Sequence, residues 1–265
     1  MYPRLFQLGH FAIPTYGALT ALALVAGLAL LVNSARRLSL NANKLWNLGL
    51  IGILTSLFAQ RLLISAVYFS AFRRHPAWVL GLTTHRAPWI DALALLAGVA
   101  AAILYALAEG LPILRVLDCI GPAAALAFVL NRIGAFLAGI DFGVPTANAW
   151  SVTYTNLLAA IWYRTPLGVS LYPVQLYEAL TSLIIFILLW WWLPRSRQDG
   201  ELWGAWLFLY GVAAYFLAFY RTPGQSQSQW ALRQPVAVLM VVASIPFLLR
   251  RKSGKYTERD DSSHI

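Results

Sequence analysis

The amino-acid sequence predicts an all-α polytopic membrane protein with about seven transmembrane helices, its N-terminus outside, its C-terminus cytoplasmic, and a small extracytoplasmic arm between the fourth and fifth spans. Two observations carry the fold class and a third carries the orientation. Of 265 residues, 60% are hydrophobic and only 11% charged, too few polar groups to coat a soluble globule of this size. Seven apolar runs are each long enough, at about 20 residues, to cross a hydrocarbon core roughly 30 Å thick. Lysine and arginine favour the cytoplasmic side of short loops, and with the N-terminus outside the inner side collects eleven of them against six. The net charge of +10 therefore points to anionic lipid and not to nucleic acid.

The first span, Ala12–Val32, is followed by a basic loop instead of a small-residue cleavage site, so it reads as a span and not as a cleaved signal. The second, Leu48–Phe69, carries Arg61, and the third is Ile90–Leu107. The fourth, Val116–Leu137, contains Asp118 and the single cysteine, Cys119, read as a small packed side chain, and it ends in NRIGAFLAGIDFG. Residues 141–171 form the arm, with Pro145, Pro166 and a β-prone WSVTYT. Tyr177–Leu193 follows, opened by YPVQLYE, then Leu202–Tyr220 with Tyr210 near its middle, then Trp230–Leu249. Trp190–Trp192, Trp203, Trp206 and Trp230 lie towards span ends, where indoles favour the headgroup layer. Residues 1–250 thus read as one membrane domain and 251–265 as a basic cytoplasmic tail with the composition of a disordered segment. There is no internal repeat.

Three arginines stand out in or at the edges of spans: Arg61, Arg132 and Arg221. At the centre of a spanning helix an arginine costs about 2.5–3.5 kcal/mol, so it faces a polar cavity or a partner, or snorkels to an interface. For Arg61 a structural pair with Glu178 or Asp118 is one reading. A phosphate site is the other, because the planar guanidinium stays charged when dehydrated and offers two parallel donors. Glycines after Arg132, beginning with Gly134, fit a close approach of backbone or ligand. In YPVQLYE, Pro173 suits a helix start, which places Gln175 and Glu178 on one inward face. Glu178 reads as a counter-ion to an arginine or, second, as a proton acceptor.

In this order, FAQRLL, LDCIGPAAALAFVLNRIGAFLAG, an outward arm, LGVSLYPVQLYE, LFLYG and AFYRTP resemble the prolipoprotein diacylglyceryl transferase family over nearly the whole chain. The resemblance implies a bacterial inner-membrane enzyme that moves the diacylglyceryl group of phosphatidylglycerol onto the lipobox cysteine thiol of a prolipoprotein and releases glycerol phosphate. Arg132 matches the family's essential arginine and becomes the candidate catalytic group. Arg61, Arg221, Gln175, Tyr210 and Gly134 become candidate lipid and phosphate contacts, with Glu178, Tyr172, Asp118, Asp141 and His85 in support. Phosphatidylglycerol and the signal-peptide helix of the prolipoprotein are the implied partners; no cofactor and no metal are implied.

The chain also departs from the family pattern. The Ser-Phe-His-Gly-Gly segment before the third span has no counterpart in TTHRAPWIDALALLAG, where His85 is the nearest histidine. Asn131, Ala135 and Ile140 replace a glycine, an asparagine and an acidic residue, with Asp141 adjacent to the last, and Tyr172 replaces a histidine. Ala214 and Ala218 stand where the family has arginine and glutamate. Acting independently, loss of an acid–base group and of a phosphate donor would slow transfer by roughly 10⁴-fold. Two alternatives therefore accompany the transferase reading: a lipid-binding paralogue that has lost the chemistry, and a small-solute transporter, against which the lack of a repeat counts.

Overall fold

The computed structural model describes residues 2–8, 11–69, 73, 88–196, 198–221 and 227–249. His85 and the basic tail lie outside them. Each of the seven expected spans corresponds to a helix: α1 (Thr15–Arg37), α2 (Ala42–Val67), α3 (Pro88–Ala108), α4 (Ile113–Ala138), α6 (Val174–Trp192), α7 (Glu201–Ala218) and α8 (Gln227–Leu248), with a short α5 (Leu157–Tyr163) in the arm. Six are long and apolar enough to cross a bilayer. In α8 the described apolar stretch is Arg233–Leu248. Large apolar side chains point outward along the bundle, among them Val25, Phe58 and Leu104, each about two-thirds exposed (65%, 66% and 68%). In water such a surface would aggregate; against lipid it is the expected outer face. The chain is a multi-pass membrane protein.

Helix α4 is central, packing on α1, α6 and α7, while α2 pairs with α3 and α7 with α8. Its fit against α1 explains Gly134: a Cβ there would lie 2.9 Å from Leu19 Cβ, so only hydrogen lets the backbones approach. Gly134 therefore serves helix packing at a position for which the sequence suggested a lipid contact. Asp118, also offered as support for the site, is buried near the other end of α4. It accepts hydrogen bonds from Gly200 N (2.7 Å) and Trp203 N (3.0 Å), capping the start of α7 from a neighbouring helix.

The all-helical expectation misses two small antiparallel strand pairs, β1 (Arg4–Leu8) with β2 (Phe11–Pro14), and β3 (Val152–Thr153) with β4 (Ser170–Leu171). The first span consequently begins at Thr15, and the β-prone stretch of the arm supplies β3. Trp206 also differs from expectation. Trp206 is buried and stacks with Trp203, Phe128 and Tyr210, centroids 4.8, 6.3 and 5.6 Å away, so it is an internal support and no interfacial anchor. Trp190 and Trp191 instead lie under Arg37 and Arg195 (3.8 and 4.3 Å from guanidinium carbon to ring centroid), as residues at a helix end facing headgroups would.

Candidate functional site

The helices bring the chemistry to one end of the bundle, where α4 and α7 finish, α6 and α8 begin, and the arm crosses. Helix α4 ends on Gly139, whose φ of +83° provides a left-handed cap. The next carbonyl, Ile140 O, accepts from Gln175 Nε2 (2.7 Å), a fully buried side chain on α6. Tyr154 and Thr165 of the arm fold back on the same turn, donating to Phe136 O (3.2 Å) and Gly139 O (2.8 Å). Burial pushes the Tyr154 phenol up to about 12, so it remains a donor at physiological pH. Beyond the turn, Gly143 and Val144 pair with Tyr172, and Val144 N donates to Tyr220 O (2.9 Å), tying the arm to the ends of α6 and α7. These contacts leave Ile140 in the core and turn Asp141 outward from it, at φ +57°, a conformation Asp tolerates better than most residues.

Asp141 thereby enters a charged group of four. Arg132 Nη1 lies 3.0 Å from Asp141 Oδ2 and its Nε 3.3 Å from Glu178 Oε2. Arg221 pairs with Glu178 through a short contact and with Asp141 at 3.7 Å. Each arginine thus faces both carboxylates, and the side chains of Arg132, Glu178 and Arg221 are only 17%, 11% and 7% exposed. The Arg132 Nε–H is misaligned with Glu178 for a hydrogen bond and is buried with no acceptor. Tyr210, held by stacking on Phe128 (5.1 Å) and Trp206, sits against the Arg132 guanidinium. These groups line a cavity of about 330 Å³ together with Ala214, Ala218 and Arg233.

Of the residues singled out in the sequence, the cavity unites Arg132, Arg221, Tyr210, Glu178 and Asp141. Glu178 is a counter-ion, as read, and its partners are Arg132 and Arg221, not Arg61. Arg61 does not line the cavity, and Gln175 braces the turn before Asp141 where a lipid contact was expected. Tyr172 holds the arm, its hydroxyl accepting from Asn148 Nδ2 (2.8 Å) and its ring meeting Tyr220 edge-on. Asn131, in place of the family glycine, joins α4 to α1 by donating to Thr20 Oγ1 (3.1 Å) and Tyr16 Oη (3.3 Å). The residue that sequence reasoning missed is Arg233. It too lies in an apolar run, and the cost argument that flagged Arg61 and Arg132 applies to it equally.

The family model for prolipoprotein diacylglyceryl transferase matches residues 3–250. A phosphatidylglycerol–prolipoprotein diacylglyceryl transferase of Clostridium tetani is 26% identical over 246 residues, covering 92% of this chain and 96% of that protein. One from Parasynechococcus marenigrum is 33% identical over 211 residues, covering 74% and 70%. A protein of Clostridium perfringens named as a second such transferase is 20% identical over 234 residues, 88% and 89% of the two chains.

Proposed function

This chain belongs to the prolipoprotein diacylglyceryl transferase family, and we propose that its charged cavity is where phosphatidylglycerol is held and cleaved. The reaction is transfer of the diacylglyceryl group of phosphatidylglycerol to a prolipoprotein. The observation that supports this site is Arg132: near the arm-bearing end of an apolar bundle, flanked by two carboxylates, with a buried Nε–H that lacks an acceptor. A phosphate oxygen is the acceptor such a group favours, since a charge-assisted bond to it satisfies a donor that otherwise costs about 1–3 kcal/mol. Arg221 stands on the opposite side of Glu178 and Asp141 as the second cation, and Tyr210 offers a neutral hydroxyl.

In the transfer, the cysteine sulfur forms a bond to the glyceryl carbon bearing the phosphate ester, and that C–O bond breaks with its electron pair left on the phosphate oxygen. The products are the thioether and glycerol phosphate; the thiol proton ends on the released phosphate or on water. Negative charge on the phosphate grows as the bond breaks, so arginines fixed beforehand stabilise the transition state more than the ground state. The carboxylates hold both guanidinium groups in place before lipid arrives. The acceptor cysteine enters, on this reading, at the arm-bearing end on a signal-peptide helix, with that end extracytoplasmic and the protein in the bacterial inner membrane. Incubating purified protein with phosphatidylglycerol radiolabelled in its acyl chains and a lipobox peptide tests the function. Label on the peptide thiol is expected; label that stays entirely in lipid would overturn it. No observation favours the paralogue or transporter readings over it.

A further inference from the structure

Arg132, Arg221 and Arg233 contribute three positive charges to the cavity, and Asp141 and Glu178 two negative ones, so the cavity carries one surplus positive charge. The four residues other than Arg233 are within ion-pair distance of one another in alternation. Among the described residues Arg233 forms no ion pair within 4 Å, although it interacts electrostatically with all four. It enters from α8, on the side where Ala214 and Ala218 of α7 present only methyl groups. Those alanines leave room beside the guanidinium for an anionic group. Even a half-buried arginine without an ion-pair partner is costly within an apolar bundle, and a fold that keeps one there has a reason to expect an anion.

We propose that Arg233 is a third phosphate-recognising arginine of this cavity, the one whose unbalanced charge selects a monoanionic phosphodiester headgroup and follows its charge as the ester breaks. The inference rests on the transferase reading for the identity of the ester, but its own content is narrower. Arg132 and Arg221 also face the phosphate, but each is engaged by both carboxylates, so their charge is already balanced. Arg233 supplies the unbalanced charge, matching the single negative charge of a phosphodiester. When the C–O bond breaks and the phosphate becomes a monoester, the added charge develops beside a cation that no described carboxylate approaches within 4 Å. A zwitterionic lipid brings a cation of its own into the cavity and is disfavoured.

The test uses the full chain in detergent, with binding of phosphatidylglycerol and phosphatidylcholine measured by native mass spectrometry for wild type, Arg233→Gln and Arg233→Lys. Glycerol phosphate and inorganic phosphate serve as competitors, separating a site for a lipid headgroup from a site for free phosphate. Wild type is expected to prefer phosphatidylglycerol. Arg233→Gln should lower that preference at least tenfold without lowering the melting temperature, since it removes a surplus cation, and Arg233→Lys should retain part of the preference. In the transfer assay Arg233→Gln should be about 10²–10³-fold slower, the usual consequence of losing one donor to a developing anion. Undiminished lipid preference and transfer in Arg233→Gln, with wild type active, would overturn the role of Arg233 and leave the transferase reading standing. A wild type that prefers phosphatidylglycerol through Arg233 without transferring it would do the reverse. Equal binding of both lipids by wild type would overturn the inference outright, and competition by free phosphate as strong as by lipid would reassign Arg233 to the released product.

Discussion

Replacing Glu178 by alanine removes the carboxylate shared by Arg132 and Arg221, at 3.3 Å and by a shorter contact. The two arginines do not suffer equally. Arg132 keeps Asp141 at 3.0 Å, whereas Arg221 keeps it only at 3.7 Å, and Arg221 is the more buried, its side chain 7% exposed against 17%. The cavity would hold three cations against one carboxylate, a surplus of two. Breaking a buried pair on one side costs about 3–5 kcal/mol, which for a chain of this size corresponds to a fall in Tm of roughly 6–20 °C. Thermal unfolding in detergent of Glu178→Ala, Arg221→Ala and the double variant measures the coupling directly. The double variant should be more stable than the sum of the single changes allows by about 0.5–3 kcal/mol, and the same cycle with Arg132 should give a smaller value. Arg61 provides the control, because it lies outside the cavity: Glu178→Ala and Arg61→Ala should add. Additivity between Glu178 and Arg221, or coupling between Glu178 and Arg61, would refute the arrangement.

Other outcomes follow from the same geometry. Arg132→Lys keeps the charge but loses the planar fork, so both it and Arg132→Ala should lower transfer, the alanine by about 10²–10³-fold; equal rates for wild type and Arg132→Ala would remove Arg132 from the site. Gly134→Ala should destabilise the chain by about 1–3 kcal/mol by overpacking α4 on α1. Leu19→Ala should not rescue it, because the close atom is Leu19 Cβ itself, at 2.9 Å; a fully stable Gly134→Ala would show that the helices part freely. Asp118→Ala should lower Tm by uncapping α7, at about 0.5–2 kcal/mol for the cap alone, while transfer below the unfolding temperature stays as in wild type. Ala214→Arg should weaken the fold by adding a second surplus cation beside Arg233, and Ala214→Arg/Ala218→Glu should be better tolerated, as read by Tm and transfer; equal stability of the two variants would refute the charge count of the cavity.

What the sequence determined by itself is the medium and the spans. Composition forces a bilayer on a chain that is 60% hydrophobic, and a bilayer in turn requires every crossing segment to satisfy its backbone internally, so helices of about 20 residues are legible one at a time. Arg132 and Glu178 were legible for the same reason: a charge inside an apolar run is costly alone and announces a partner or a cavity. The identity of the partner was not. Glu178 meets Arg221 and Arg132 instead of Arg61 because α6 packs on α4 and α7, and a helix-to-helix choice depends on contacts remote in sequence. Gly134, Gln175 and Asp118 looked like site residues on local grounds, yet a close approach to Leu19, a bond to Ile140 O and a cap on α7 exist only once separate segments meet. Asp141 shows the same division at finer scale. Sequence places an acidic residue one position from where the family has it, and the left-handed turn after Gly139, held by Gln175, Tyr154 and Thr165, decides that Asp141 and not Ile140 faces the arginines. Arg233 required the fold most of all, since its meaning is a charge balance summed over four helices and the arm, and a sum over elements cannot be read along the chain.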